Sequence, residues 1–128
     1  MYFLRIDVRE QKDFVEKLYY EYEKNKDRVI LEYVQLSEGD IEISDQEGVR
    51  ILIERKTLND LASSYTDGRL KDQTTRLLDI KTNNPDIKVC FMIEEGNYTG
   101  SMDHGSLMQS MINKQFRDGF GIIRTRDT

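Results

Sequence analysis

The stretch VRILIERK, residues 49–56, decides the fold of this chain. Four of its first five residues are apolar and mostly β-branched, a composition typical of a central β-strand. Three charged residues then follow at once, and charges on a central strand are costly unless they serve a purpose. Because side chains alternate along a strand, Glu54 and Lys56 are predicted to share one face while Arg55 occupies the other.

Further elements follow on either side of this strand. Apolar patterning predicts a strand at residues 2–8 and a helix at about 12–26, and then extended runs at 29–36 and 41–44 that form a meander with the strand at 49–56. Two helices come next, the first capped by Thr57 and the second beginning after Gly68. The remaining elements are a buried strand at 87–93, a helix at about 107–116 and a final strand at 120–125. This order predicts an α/β fold with a mixed sheet and flanking helices.

Composition limits the possible classes of protein. The 128 residues suit one domain, and neither a membrane-spanning run nor a signal peptide is apparent, so we expect a soluble, intracellular protein whose compartment, nuclear or cytoplasmic, is left open. A single cysteine, Cys90, and a single histidine exclude an internal disulfide and a zinc cluster. Any bound metal must therefore be held by oxygen atoms.

The charge is unevenly distributed. The chain carries a net charge of −5, but residues 29–54 contain seven acidic side chains and only one basic side chain, Arg50, so this window alone carries −6 and the remainder about +1. Such a window is either a solvated acidic rim or a place where a divalent cation binds.

Asp40, Glu54 and Lys56 form the sharpest chemical constellation. If the strands at 41–44 and 49–56 pair as neighbours, the two carboxylates converge at one end of the sheet, where a hard cation offsets their repulsion. A bound cation can polarise a phosphodiester and acidify an attacking water, and a lysine can stabilise the developing negative charge. The alternatives are an ordinary turn residue for Asp40 and a surface ion pair for Glu54 and Lys56.

The ordered pattern Gly39-Asp40, Glu54-Arg55-Lys56, Asp60 resembles the GD…ERKxxxD signature of the XPF-family structure-specific endonucleases. This family has an α/β restriction-endonuclease-like fold, in which helices flank both faces of a mixed central sheet. Further matching positions occur along most of the chain: Asp7-Val8-Arg9-Glu10, Gly68-Arg69-Leu70 with Gln73, Ile93-Glu94, and Asp118-Gly119-Phe120 with Arg124-Thr125, the last resembling the MUS-type branch.

The resemblance implies a role for each matching residue. It makes Asp40, Glu54, Lys56 and Arg55 the catalytic residues, with Arg55 positioning its neighbours or the phosphate. It implies Mg²⁺ or Mn²⁺ held by Asp40 and Glu54, with Asp7 and Glu10 as supporting acids. It implies substrate binding by Arg9, Arg69, Gln73 and Asp60.

Several of these roles have plain structural alternatives. Asp60 also completes a helix capping box with Thr57, and Arg9 and Glu10 also suit a local ion pair. Arg69 and Gln73, with Arg76, share one polar helix face that is equally typical of a solvated surface.

The function implied by the resemblance is metal-dependent cleavage of branched or flapped DNA, in repair or recombination. Two alternatives stay open: a phosphodiesterase for cyclic dinucleotides that uses the same site, and a non-catalytic, nuclease-like partner subunit. Residues 1–128 are expected to be one XPF-type nuclease domain of a longer protein, because the helix-hairpin-helix module usual in the family is not found among them. The region 105–125 is a candidate dimer surface, although an apolar stripe of this kind is more often part of a core. The stripe consists of Leu107, Met108, Met111, Ile112 and Phe116.

Overall fold

A computed structural model describes residues 2–24, 26–96, 98–100 and 102–126, except for the side chain of residue 104. Its centre is one six-stranded sheet in the order β2-β1-β3-β4-β5-β6. The strands are β1 (Tyr2–Asp7), β2 (Val29–Val34), β3 (Ile41–Asp45), β4 (Gly48–Thr57), β5 (Lys88–Glu94) and β6 (Gly121–Thr125). The helices are α1 (Lys12–Glu23), α2 (Leu58–Asp67), α3 (Arg69–Asn83) and α4 (His104–Ile112), and α4 continues into a π-helical turn, Asn113–Arg117.

The sheet mixes parallel and antiparallel pairs. Strand β3 pairs antiparallel with both β1 and β4, whereas β1 and β2, β4 and β5, and β5 and β6 are parallel pairs. The prediction that β2, β3 and β4 form a meander is therefore wrong in one part, since β1 lies between β2 and β3. The reason is the crossover through α1, which returns the chain parallel to β1 and places β2 on its outer side.

Helices cover both faces of the sheet, as predicted. On one face, Phe14, Val15 and Leu18 of α1 pack against a small core that includes Ile6 and Ile53. On the other face, α2, α3 and α4 bury the larger core: Leu52, Leu58, Leu61, Ala62, Leu70, Leu77, Val89, Phe91, Ile93, Leu107, Met111 and Phe120. Strand β4 is third from one edge of the sheet, so it is central, and it contributes to both cores.

The helix ends follow local chemistry. The Thr57 hydroxyl accepts a hydrogen bond from the backbone N–H of Asp60 at 3.0 Å, which caps α2 as predicted. Gly68, with φ +84°, ends α2 and leads into α3. Helix α1 stops at Glu23, three residues before the predicted end, and the last helix begins at His104, three residues before the predicted start.

None of the helices in the described ranges combines the length and the apolar content that a membrane crossing requires.

We expect Gly39→Ala to destabilise the fold more than Gly48→Ala does. Both glycines have positive φ, +78° and +138°, so alanine is strained at either position. Only at Gly39 would the new Cβ also meet a core side chain, at 2.7 Å from Cδ1 of Leu52. Urea unfolding should show a loss of about 1 kcal/mol for Gly48→Ala and about 2 to 3 kcal/mol for Gly39→Ala. Equal losses would mean that contact with Leu52 does not constrain this turn.

Candidate active site

Acidic residues at or next to the ends of three strands meet at one end of the sheet. Asp7 is the last residue of β1, Asp40 directly precedes β3, and Glu54 lies near the end of β4. Backbone hydrogen bonds fix this meeting point: the N–H of Asp7 donates to the carbonyl of Asp40 at 3.0 Å, and the N–H of Asp40 donates to the carbonyl of Ile53 at 2.9 Å. The pairing of β3 with β4 that the sequence required is thus present.

Burial disfavours the negative charge of two half-buried carboxylates, Asp40 and Glu54, and a neighbouring carboxylate adds to the effect at each, Asp7 at Asp40 and Asp40 at Glu54. Burial raises the pKa of Glu54 from its ordinary value of 4.5 to about 7, the carboxylate of Asp40 adds to the rise, and the ammonium of Lys56 opposes it. Burial also raises the pKa of Asp40, although that carboxylate accepts a hydrogen bond from the backbone N–H of Arg55 at 2.8 Å. An added positive charge would therefore be favourable here.

Lys56 is buried on the same face of β4 as Glu54, as the alternation predicted. Only 6% of the residue is exposed, and its Nζ donates to Oγ of Ser64 on α2 at 3.3 Å. This contact holds the amine beneath α2, where its charge lowers the pKa of both Asp40 and Glu54. No sequence pattern singled out Ser64, because a serine on a helix has no distinctive signal.

Asp7 is almost completely buried and is engaged by Arg9. Its carboxylate accepts hydrogen bonds from Nε, Nη2 and the backbone N–H of Arg9 at 2.8, 2.5 and 2.8 Å, and from the backbone N–H of Leu36 at 3.3 Å. The Arg9 guanidinium holds the pKa of Asp7 down at about 2 in spite of the burial, which acts in the opposite direction. Asp7 therefore anchors Arg9 at the site; its role as a supporting metal ligand stays a prediction.

The Arg55 side chain lies on the opposite face of β4, beneath α1, and Glu10 in the turn after β1 pairs with it. The Arg55 guanidinium forms ion pairs with Glu10, at 2.8 Å from Nη1 to Oε2, and with Glu94, and it lies 4.2 Å from the centroid of the Phe14 ring. All three charged side chains are only 7% exposed.

Arg55 acts on Asp40 in two ways: its backbone N–H donates to the Asp40 carboxylate, and its charge lowers the pKa of Asp40. The carboxylate of Glu10 in turn raises the pKa of Glu54. The catalytic role of the Arg55 side chain and the metal role of Glu10 stay predictions.

The carboxylates open into a polar cleft of about 510 Å³ between the sheet and α3. Its lining comprises Arg9, Ser37, Glu38, Gly39, Asp40, Glu54, Gln73, Arg76 and Leu77. At the rim, Arg76 forms an ion pair with Glu38 at 3.4 Å. Another lining residue, Gln73, has a buried side-chain oxygen, Oε1, that has no hydrogen-bond partner among the described residues.

Two predicted substrate-binding residues lie outside the lining of this cleft. Arg69 forms an ion pair with Asp67 at 2.8 Å, and Asp60 is exposed in the first turn of α2. Arg76 enters the cleft instead, although it shares the polar face of α3 with Arg69 and Gln73. The helical spacing identified the face but not which arginine is directed into the cleft, because that depends on where β3 and β4 end.

The cleft suits a cation that needs few protein ligands. Among the described residues, no group of three or more His, Cys, Asp or Glu side chains is arranged to hold a metal without other ligands. Mg²⁺ commonly takes only one or two carboxylates and completes its shell with water and substrate phosphate oxygens. Asp40 and Glu54, the two carboxylates with raised pKa, supply such ligands, and the cleft that they line leaves room for water and a phosphate.

In metal-free buffer, we expect Glu54→Gln to stabilise the chain at pH 8. Between pH 4.5 and about 7, the unfolded chain has released the Glu54 proton while the folded chain retains it, so the stability of the wild-type protein falls as pH rises. Above about pH 7 nearly the full cost, about 3 kcal/mol, is present. Thermal unfolding should show a higher Tm for Glu54→Gln at pH 8 and nearly equal Tm values at pH 4. A lower Tm for the variant at pH 8 would contradict the claim that the ionised Glu54 is costly in its buried position.

Comparison with known proteins agrees with this geometry. A family model, the ERCC4 domain, matches residues 6–128. Human structure-specific endonuclease subunit MUS81 is 38% identical over 77 residues, which are 59% of this chain and 13% of that protein, and the zebrafish protein is 33% identical over 79 residues. The chain thus spans about an eighth of the length of these curated relatives.

Solved structures support the same family assignment. XPF from Aeropyrum pernix in complex with DNA superimposes with a TM-score of 0.71 and 27% identity, covering 99% of this chain and 57% of that one. A second structure of XPF from the same organism has a TM-score of 0.72 and 29% identity, with 98% and 54% coverage. The predicted restriction-endonuclease-like fold is confirmed, and the chain belongs to the ERCC4 domain family of XPF- and MUS-type nuclease domains.

Proposed function

We propose that this chain is the nuclease domain of a structure-specific endonuclease that hydrolyses phosphodiester bonds in branched or flapped DNA. The observation that carries the proposal is the meeting of two desolvated carboxylates, Asp40 and Glu54, with the buried amine of Lys56 on the same side of β4. Relatives named as structure-specific endonuclease subunits, and the A. pernix XPF structure that contains DNA, support the reaction class and the substrate class.

Nucleases of this family depend in general on a divalent metal, and we propose Mg²⁺ or Mn²⁺ at the cleft. Asp40 and Glu54 would hold it, and when bound it supplies Lewis-acid chemistry that polarises the phosphate and acidifies water. The N–H of Arg55 fixes the Asp40 carboxylate in position. Lys56, held by Ser64, stabilises the negative charge that develops on the phosphoryl oxygens.

The cleft rim provides cations for the DNA backbone. Arg9 is fixed by its bonds to Asp7 and to the carbonyl of Leu36, so its charge lies at the cleft without further loss of side-chain entropy. Arg76 meets Glu38 on the other side of the cleft at a distance typical of a weak, solvated pair. A phosphate that enters the cleft therefore competes with Glu38 for Arg76, which gives the acidic window a second role beside metal binding.

We propose that a dimer, with a second copy or a related chain, forms through part of region 105–125. Within this region Leu107 and Met111 are core residues, as one reading of the stripe predicted, so they are not available to a partner. Met108 also packs against the core, but Ile112 and Phe116 of the stripe are 43% and 79% exposed. Ile123, in the same region, is 41% exposed. Ile123 lies on β6, an edge strand of the sheet, and edge strands offer unpaired backbone groups to a partner.

A cleavage panel tests the proposed function. We expect the chain to cut flap or fork DNA with Mg²⁺ or Mn²⁺, and we expect Lys56→Met and Glu54→Gln each to lower the rate by at least about 100-fold. Lys88→Met, an exposed lysine at the start of β5, is the matched control and should cut at the wild-type rate. Circular dichroism melts must first show that both site variants are folded.

The panel also separates the alternative functions. Turnover of a cyclic dinucleotide, with intact flap DNA, would favour the phosphodiesterase reading. If Lys56→Met and Glu54→Gln both cut flap DNA at the wild-type rate, the assignment of the catalytic site is wrong. If the folded wild-type chain cuts no substrate, either alone or with an added partner chain, the nuclease proposal is overturned. The chain would then be a non-catalytic, nuclease-like subunit.

A further inference from the structure

A second pocket lies on the other flank of α3 from the catalytic cleft. It encloses about 330 Å³ between the end of α2, the helix α3, and α4 with its π-helical turn, and it shares no lining residue with the cleft. Its polar lining includes Tyr65, Lys71, Ser110, Lys114, Arg117 and Asp118. No role in the proposed hydrolysis uses this pocket, and its volume lies at the lower end of the range for small-molecule sites.

The inner wall of the pocket contains two buried charges that are incompletely paired. The side chains of Lys114 and Asp118 are 10% and 9% exposed, and Nζ lies 3.6 Å from Oδ2, which is too far for a hydrogen bond. Oδ2 of Asp118 has no hydrogen-bond partner among the described residues, and Oδ1 meets only Nε of Arg117, at 3.4 Å. Buried charges in proteins normally satisfy their hydrogen-bonding capacity, so this wall is suited to a polar ligand.

The π-helical turn creates this wall. The wider turn brings the backbone N–H of Asp118 to the carbonyl of Asn113 at 3.1 Å, and the carbonyl of Lys114 accepts from the N–H of Phe120 at 2.9 Å. Lys114 and Asp118 are thereby fixed on the pocket side of the helix. Single π-helical turns within α-helices occur frequently at functional sites.

The mouth of the pocket has the groups that recognise a nucleotide backbone and base. Tyr65 is 56% exposed and offers an aromatic face for stacking. Lys71 and Arg117 are exposed cations at the same mouth, and cations of this kind pair with phosphate groups. An aromatic face, peripheral cations and an inner polar wall are the combination that enzymes use to hold a single nucleotide taken out of a base stack.

We propose that this pocket binds one unpaired nucleotide of the DNA strand close to the branch point. The inference rests on the proposed action on branched DNA. The base stacks on Tyr65, its Watson–Crick edge meets Lys114 as a donor and Asp118 as an acceptor, and the phosphate lies between Lys71 and Arg117. Because every base presents both a donor and an acceptor on that edge, the pocket detects the absence of pairing rather than a particular sequence.

The position relative to the cleft suits this role. Gln73 and Arg76 of α3 line the catalytic cleft, whereas Lys71 and Thr75 of the same helix line the pocket. The two sites are therefore separated by the width of a helix, about 10 Å. A strand that crosses α3 reaches both, so an unpaired nucleotide in the pocket would set the distance from the branch point to the bond that is cut.

Binding of free nucleotides tests the inference directly. In metal-free buffer, ¹⁵N NMR titration of the chain with the 5′-monophosphates of deoxycytidine and deoxyadenosine should shift the amides of Ser110, Asn113 and Lys114. We expect both nucleotides to bind with similar affinity, and we expect Tyr65→Ala and Asp118→Asn each to weaken binding about tenfold. Tyr20→Ala on α1 and Asp86→Asn, both exposed and distant in the fold, are the matched controls and should leave the affinity unchanged.

The outcomes distinguish this inference from the nuclease proposal. No shift in the pocket, shifts confined to the catalytic cleft, or unchanged affinity in the folded Tyr65→Ala and Asp118→Asn variants would overturn the pocket assignment. Tyr65 is exposed, so its variant stays informative even if Asp118→Asn fails to fold. The binding titration contains no metal and is therefore independent of the cleavage assay. A chain that binds nucleotides but cleaves nothing would refute only the nuclease proposal. A chain that cleaves DNA but binds no nucleotide would refute only the pocket assignment.

Discussion

The burial of two neighbouring carboxylates, Asp40 and Glu54, at one end of the sheet is the constraint on which the site depends. Asp40 is fixed by its own backbone bond to β4 and by the N–H of Arg55, and Glu54 is fixed by its place in a central strand. Neither can move away, and the burial of both makes their charge costly. Lys56 offsets part of this cost, and a divalent cation would remove the rest.

The alternation of side chains along β4 places the candidate catalytic side chains on one face of the strand and the structural ion-pair network on the other. Glu54 and Lys56 point to the side of α2 and α3, where the cleft opens, while Arg55 points to α1 and is surrounded by Glu10, Glu94 and the ring of Phe14. Removing one partner from such a buried network leaves an uncompensated charge and is strongly destabilising. Arg55 thus ties β4 to β5 and to the turn after β1, and the same residue uses its backbone to hold Asp40.

Much of this arrangement could be predicted from sequence, and the exceptions share a physical reason. Alternation placed Glu54, Lys56 and Arg55 correctly because it depends only on the strand itself. The position of β2, the choice of Arg76 over Arg69 in the cleft, and the contact from Ser64 to Lys56 depend on how distant elements pack, which local patterns do not encode. The wall formed by Lys114 and Asp118 depends on a π-helical turn, for which the helical spacing of residues 107–116 gave no signal.

The most direct measurement is the titration of the Glu54 carboxyl by ¹³C NMR, first without divalent metal and then with saturating Mg²⁺. The account predicts a pKa of about 7 in the metal-free chain and a large fall when Mg²⁺ is added, because the cation favours the ionised carboxylate. A pKa near 4.5 that does not respond to Mg²⁺ would show that the two carboxylates neither crowd each other nor bind a metal, and it would contradict the central claim.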